Sequence, residues 1–357
     1  MNSDIIVIGG GIAGLSAAAR LSADARVTVL EMESVTGYHT SGRSAALIEE
    51  NYGALSVQAL NRASMAHFQE GGYLSQRGLM IIAEAGEKDA FLADADHMGV
   101  DQISPREACE MVPILDADKV AFAGYHADAF DIDTDRLMQD FIRTLRANGG
   151  QVITDAVVTN IQRDAGGWHV QAGGDYHAGT LVNAAGAWAD LIAGIAGVAP
   201  LGITPYRRSM ARIASPGGHD VSKWPMFFGV NESWYAKPDA GALLISPAEE
   251  EVSHPHDAFA DDMTLAEGLD RYQQMVAVPV TRPIATWAGL RSFAPDRTLV
   301  LGRDHEVPDF VWCAGQGGYG FQTSPAASAL VADLVMGRKP VLDSKTIAAL
   351  TPDRLRN

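Results

Sequence analysis

Short apolar runs broken by glycine turns mark both ends of the chain. Asp4–Ile8 is a brief Ile/Val run, which predicts a buried strand. A glycine turn follows, then an Ala/Leu-rich helix from about Ile12 to Ala23. Arg26–Glu31 (RVTVLE) is the next strand. The order is β-α-β with short loops. In the middle, Leu55–Phe68 and Arg136–Ala147 read as amphipathic helices. Gln151–Ile161 and Trp168–Gly173 read as strands, and Thr180–Asn183 as a buried one. From Tyr206 to Ser246 the pattern changes. Arg208–Ile213, Trp234–Lys237 and Leu243–Ser246 resemble antiparallel strands joined by polar turns, as in a substrate-facing sheet. The nucleotide-fold pattern then returns, with strands at Thr298–Gly302 and Phe310–Ala314. A glycine loop at Gly315–Gly320 and a helix at Gln322–Met336 close it.

The expected fold class is therefore α/β, mixed with α+β character. A Rossmann-like nucleotide domain is interrupted by a substrate domain on a mixed, largely antiparallel sheet. The expected boundaries are 1–73, 131–200 and 285–357 for the first, and 74–130 and 201–284 for the second. A chain of 357 residues suits two such interlocked domains better than one core.

Composition narrows the function. The chain is 47% hydrophobic and 20% charged, an ordinary globular profile. Its net charge of −17 disfavours nucleic acid, whose phosphates demand Lys and Arg, and docking on anionic lipid by charge alone. No apolar run approaches the roughly 18–20 residues of a membrane span. The apolar N-terminus lacks a basic leader and is broken by Gly9-Gly10-Gly11, so it reads as strand and helix and not as a signal peptide. Cys109 and Cys313 alone make no disulfide framework, and a reducing cytoplasm fits.

The chemistry begins at Gly9-Gly10-Gly11-Ile12-Ala13-Gly14, a GxGxxG between strand and helix. Gly9 permits the tight turn, Gly11 lets backbone approach a pyrophosphate, and Gly14 lets helix and strand pack closely. The anion would rest on the helix N-terminus. Glu31, ending the second strand, suits the two hydroxyls of an adenosine ribose. NAD and FAD share this fingerprint. Thr40-Ser41-Gly42-Arg43-Ser44-Ala45-Ala46 adds small residues for a second nucleotide segment, with Arg43 and Ser44 able to hold pyrophosphate oxygens. Leu181–Trp188 is a strand ending in small residues. The N–H groups of Gly315-Gln316-Gly317-Gly318-Tyr319-Gly320 could face a flavin pyrimidine ring and stabilise its reduced, anionic form.

The set GGGIAG, GRSAA, NAAGAW, GLRSF and QGGYGFQTS resembles the D-amino-acid oxidase-type FAD-dependent oxidoreductases, nearly end to end. GYHTSGRSAA, DIDTD, YRRSM and YAKPDAG place the likeness nearest the bacterial D-arginine dehydrogenases. The resemblance implies non-covalent FAD, with contacts also at Ile12, Ala13, Met32, Gly42, Ala45, Val158, Ala185, Gly186, Trp188, Gly317, Gly318, Tyr319, Gly320 and Gln322. It implies that Arg208 and Arg291 grip a substrate carboxylate, for which guanidinium forks are suited. Tyr52 and Tyr235 would line the site, and Gly318 and Gln322 would border flavin and substrate.

This sequence departs from the D-arginine pattern at two positions. Leu79 stands where a glutamate holds the guanidinium, and Leu47 where there is an active-site histidine. Glu49 replaces a nearby threonine. A buried guanidinium facing two leucines would lack a partner, which disfavours Arg as substrate unless Glu49 reaches in.

Other features read as structural. His254 and His256 suit a solvated loop, Asp133 or Thr134 suits a helix N-cap, and Cys313 suits a buried strand position. The expected reaction is oxidation of a small, uncharged, apolar D-amino acid by hydride transfer from Cα to flavin N5. It gives a 2-oxo acid and ammonia. A secondary amine, such as an N-alkyl amino acid or opine, or a 2-hydroxy acid is the alternative substrate. Oxygen, a quinone or another carrier could take the electrons; no catalytic base is assigned.

Overall fold

The computed structural model describes residues 1–280 and 282–356. Its first layer is a six-stranded sheet. Ile5–Ile8 lies at the centre, flanked by parallel Val27–Leu30 and Thr180–Asn183. Gln151–Ile153 extends one side, and Phe310–Ala314 and then antiparallel Val300–Arg303 extend the other. The central strand is apolar throughout and its neighbours largely so, because both faces are covered. Alternate residues serve different cores: Ile5, Val7, Val27, Val29, Val182 and Val311 pack toward the helices Ile12–Leu21 and Gly320–Met336. Ile6, Ile8, Leu30, Leu181, Phe310 and Trp312 pack on the opposite side, where the small antiparallel sheet of residues 160–178 adds Ile161, Trp168 and Val170.

The second layer is a nine-stranded sheet built mainly from two stretches, residues 79–126 and 204–293. It is antiparallel except where Met226–Gly229 runs parallel to Leu79–Ala83. Its boundary departs from expectation. Ala285–Phe293 pairs with Thr204–Ile213 over nine residues from each strand, so it belongs to the substrate sheet and not to the nucleotide domain. Its alternating pattern of burial is that of an antiparallel strand with one face on a core, a signal blurred by its Gly and Ala. The Gln151–Ile161 segment divides into strands Gln151–Ile153 and Asn160–Asp164 in different sheets. Asp133 caps the helix Thr134–Ala147, its carboxylate accepting from Arg136 N–H at 3.1 Å.

Candidate active site

A cavity opens where the parallel strands end, between the two sheets, the place where open α/β sheets bind ligands. From the nucleotide side it is lined by Gly11, Ile12, Ala13, Ser41, Arg43, Ser44, Ala45, Gly186, Gly317, Gly318, Gly320 and Gln322. From the substrate side come Leu47, Glu49, Tyr52, Leu79, Arg208, Tyr235 and Arg291. Thus the residues picked from sequence for catalysis and for the substrate pocket converge.

The glycine turn has the steric logic of a close approach. A Cβ on Gly14 would fall 1.9 Å from the Gly9 carbonyl oxygen, and one on Gly9 would fall 2.3 Å from that of Ala184. A Cβ on Gly11 would meet only the Ser41 hydroxyl, at 3.1 Å, so that backbone faces the cavity. Ser41 Oγ accepts from Ile12 N–H at 3.0 Å, holding the second segment against the helix N-terminus. The Glu31 carboxylate accepts from Gly10 N–H at 2.6 Å and Glu33 N–H at 2.9 Å. Each of its oxygens keeps a lone pair for a ribose hydroxyl.

Other expected cofactor residues stand back from the cavity wall. Met32, Gly42, Val158, Ala185 and Trp188 are not among its lining residues, and Tyr319 lines an adjoining mouth. Arg43 differs from its expected role. Its guanidinium is taken up by Asp257 at 2.5 Å and by the carbonyls of Ala258 and Ala288 at 2.8 and 2.9 Å. It ties the loop to the substrate domain. The sequence could not show this, because Asp257 lies over two hundred positions away. Cys313 is buried in the helix-side core, outside the cavity lining, and burial pushes its thiol up to about 12.

Arg208 and Arg291 come from adjacent antiparallel strands. Arg208 pairs with Gly289 and Arg291 with Tyr206, so both arginines project from the same sheet face on a diagonal. Arg208 is 6% exposed, and its Nε and Nη1 have no protein acceptor. Its nearest carboxylate is Glu250, at 3.3 Å, which also holds Arg297 at 2.7 Å. Burial and then Arg291 lower the Arg208 pKa, with Tyr235, Tyr52 and Glu232 opposing. Burial also works against the charge on Arg291, but Tyr52, Tyr235 and Glu232 outweigh it and raise that pKa. Two guanidiniums side by side, incompletely paired, make a receptor for an anion.

Tyr52 Oη donates to Glu232 at 3.2 Å, and its ring meets Tyr319 edge to face. Burial, reinforced by Glu232 and opposed by Arg291, raises the Tyr52 pKa, so the phenol stays protonated. Tyr235 Oη lies 3.2 Å from Met210 Sδ. Gln322 is 3% exposed and its Nε2 has no protein acceptor, which suits a cofactor or substrate carbonyl.

Sequence reasoning missed several lining residues. Met98, Met210, Met226 and Phe228 join Leu47 and Leu79 around an apolar end. Met98 ends the helix Lys88–Met98, while Met210, Met226 and Phe228 lie on two strands of the second sheet, so only the tertiary fold brings them together. Glu232 is the other omission. It and Asn231 hold consecutive left-handed conformations (φ 49° and 56°) in the turn before Tyr235. Asn231 N–H is anchored on Asp94 at 2.6 Å. Two non-glycine residues in that region mark a strained turn fixed by its surroundings.

These features fit FAD. The glycine cradle faces the cavity, the Glu31 carboxylate stands at the second strand's end, and the Gln322 amide is unsatisfied. Among the described residues no helix is long and apolar enough to cross a membrane.

The chain is 28% identical to the L-2-hydroxyglutarate dehydrogenase of Escherichia coli O17:K52:H18 (strain UMN026) over 232 residues, 59% of this chain and 54% of that protein. It spans about half the length of the first curated relatives it matches. Its fold matches glycine oxidase from Geobacillus kaustophilus with a TM-score of 0.82 at 22% identity, covering 96% of each chain. L-Proline dehydrogenase from P. horikoshii matches with a TM-score of 0.80 at 24% identity, over 95% of this chain and 94% of that one. Residues 4–334 match the DAO family, FAD dependent oxidoreductase. The chain belongs to that family, and its cofactor is FAD.

Proposed function

We propose that this protein oxidises an α-amino acid with an uncharged, apolar side chain, of D configuration, using non-covalent FAD. The observation that carries this reading is the pair of arginines lining the cavity, Arg208 buried and Arg291 partly so. Arg208 offers Nε and Nη1 without acceptors, and Arg291 lies against the glycine loop at Gly318. A carboxylate between them accepts hydrogen bonds from both guanidiniums, which fixes the substrate's orientation. Its side chain then falls among Leu47, Leu79, Met210, Met226 and Phe228. Each Å² of apolar surface buried there contributes about 25 cal/mol.

Bound beside this site, FAD would supply the two-electron oxidising chemistry, the hydride from Cα carrying both electrons. The chain's own groups supply position and proton handling. Protonated Tyr52 is a hydrogen-bond donor, and its hydroxyl adjoins Glu232. Gln322 presents its free amide to the same space. The resulting imine hydrolyses to a 2-oxo acid and ammonia. The D configuration rests on the motif resemblance. With Cys313 buried in the core, flavin should be released intact when the protein is acid-precipitated. Flavin retained in the pellet would refute the non-covalent link.

A 2-hydroxy acid would offer the same arginines its carboxylate, and the E. coli relative is named for such a substrate. Dye-coupled turnover of D- and L-amino acids, N-methyl amino acids and 2-hydroxy acids separates these substrates. Highest kcat/KM on an apolar D-amino acid supports the main reading. Highest kcat/KM on a hydroxy acid replaces it.

A further inference from the structure

His126 stands behind the apolar end of the cavity. The register places Met226, Leu79 and His126 in one row across three neighbouring strands. Directly paired residues project to the same sheet face, so His126 points the way Leu79 does. Leu79 and Met226 line the cavity, while His126 is set back beside Glu49. Its Nε2 lies 2.6 Å from Glu49 Oε2. Glu49 is 3% exposed, lines the cavity, and accepts from Asn51 N–H through Oε1 at 3.0 Å.

A buried carboxylate in an apolar pocket is costly unless it is paired. Here the pair is a titratable one. The charged groups bearing on His126 are Glu49, Asp128 and Asp101, all acidic. Burial works against its charged form. The ion-pair contact with Glu49, helped by the two aspartates, outweighs burial and holds the imidazole above its ordinary range. Lys237 and Arg77 are bound to Asp131 at 2.8 and 2.6 Å and leave Glu49 to the histidine.

We propose that His126 sets the charge of the substrate side-chain pocket by neutralising Glu49, so that the pocket selects uncharged side chains while His126 is protonated and accepts cationic ones once it is not. His126 is thus a positioning residue for specificity, acting through Glu49. The proposal rests on the carboxylate clamp described above and adds what reads the far end of the substrate. It also accounts for a carboxylate beside the cavity's apolar end, where leucine, methionine and phenylalanine side chains gather. While the ion pair is intact, a guanidinium entering the pocket competes with a cation already 2.6 Å from Glu49. When the imidazole is neutral, the carboxylate is left for the substrate.

The test uses two redox-inert carboxylates, 4-methylpentanoate with a neutral tail and 5-guanidinopentanoate with a cationic one. Binding to the oxidised holoenzyme is followed by perturbation of the flavin absorbance from pH 6 to pH 9.5. The ratio of the two Kd values cancels pH effects common to the carboxylate end. In the wild type, preference for the neutral tail should fall about tenfold or more as pH rises, because one uncompensated charge in a buried site shifts affinity by at least that much. Glu49→Gln should hold the ratio flat in favour of the neutral tail. His126→Gln leaves a polar side chain beside Glu49 but no charge, and should favour the cationic tail by about tenfold or more over wild type at pH 6. A wild-type ratio that does not change with pH overturns the proposal, whatever the variants do. If neither ligand perturbs the flavin, the carboxylate clamp itself fails and the proposal falls with it.

Discussion

Arg291 packs its guanidinium directly over the backbone of Gly318. A Cβ placed on Gly318 would lie 3.0 Å from both Arg291 Cζ and Nη1. The glycine loop before the last helix therefore sets where the Arg291 guanidinium, half of the proposed clamp, can lie. Gly318→Ala should push Arg291 aside by a few tenths of an ångström. The expected result is a kcat/KM roughly tenfold lower, since misplacement of a full 1 Å can cost about a hundredfold. Unchanged kinetics in a folded, flavin-bearing Gly318→Ala would separate the loop from the clamp.

Arg208→Lys and Arg291→Lys should each retain FAD and lose turnover. Lysine keeps the charge but not the planar fork. The loss of one charge-assisted contact is expected to cost about 2–4 kcal/mol, roughly 30- to 1000-fold in kcat/KM. Steady-state kinetics on flavin-replete protein measures it, and near-wild-type values in both variants would remove the clamp.

Leu79→Glu adds a second carboxylate to a wall where His126 neutralises only one. The ratio of kcat/KM for D-arginine over D-leucine should rise at least about tenfold, since an unpaired buried guanidinium gains a partner. An unchanged ratio in folded protein would place Leu79 outside the side-chain pocket.

A separate prediction concerns stability. Asp304 is 2% exposed and accepts from Trp312 Nε1 at 3.0 Å and Arg356 Nη2 at 2.7 Å, joining the C-terminal segment to the nucleotide sheet. Burial acts to raise its pKa, but the bonds from Trp312 and Arg356 outweigh it and hold the carboxyl below its usual range. Its contribution is therefore complete above the unfolded value of about 3.9 and is lost as pH falls through the lower folded value. Asp304→Ala should lose about 1–3 kcal/mol at pH 7 in urea unfolding, with the deficit shrinking toward pH 3. A deficit independent of pH would assign the effect to packing alone.

The nucleotide half was legible because its signals are local. The strand at Ile5–Ile8, the glycine turn and the helix from Ile12 follow one another, and each residue's role is fixed within a few positions. The arginines of the substrate half were legible from resemblance, not from periodicity. What stayed hidden depends on register between distant strands. Nothing local in the sequence aligns His126 with Leu79 and Met226, or brings Glu49 to the histidine. The same holds for Ala285–Phe293, whose partner strand lies some eighty residues earlier. Arg43 shows the limit of reading a motif by residue type, since its partner Asp257 lies 214 positions further along the chain.

The central claim is that paired arginines deliver a carboxylate-bearing amine to the flavin. Anaerobic mixing of the purified holoenzyme with D-leucine, followed by the flavin absorbance, tests it most directly. The account predicts complete bleaching in the wild type, and bleaching slowed roughly 30-fold or more in Arg291→Lys. A wild-type flavin that remains oxidised with D-leucine and every other carboxylate-bearing amine, or an Arg291→Lys that bleaches as fast as wild type, would contradict it.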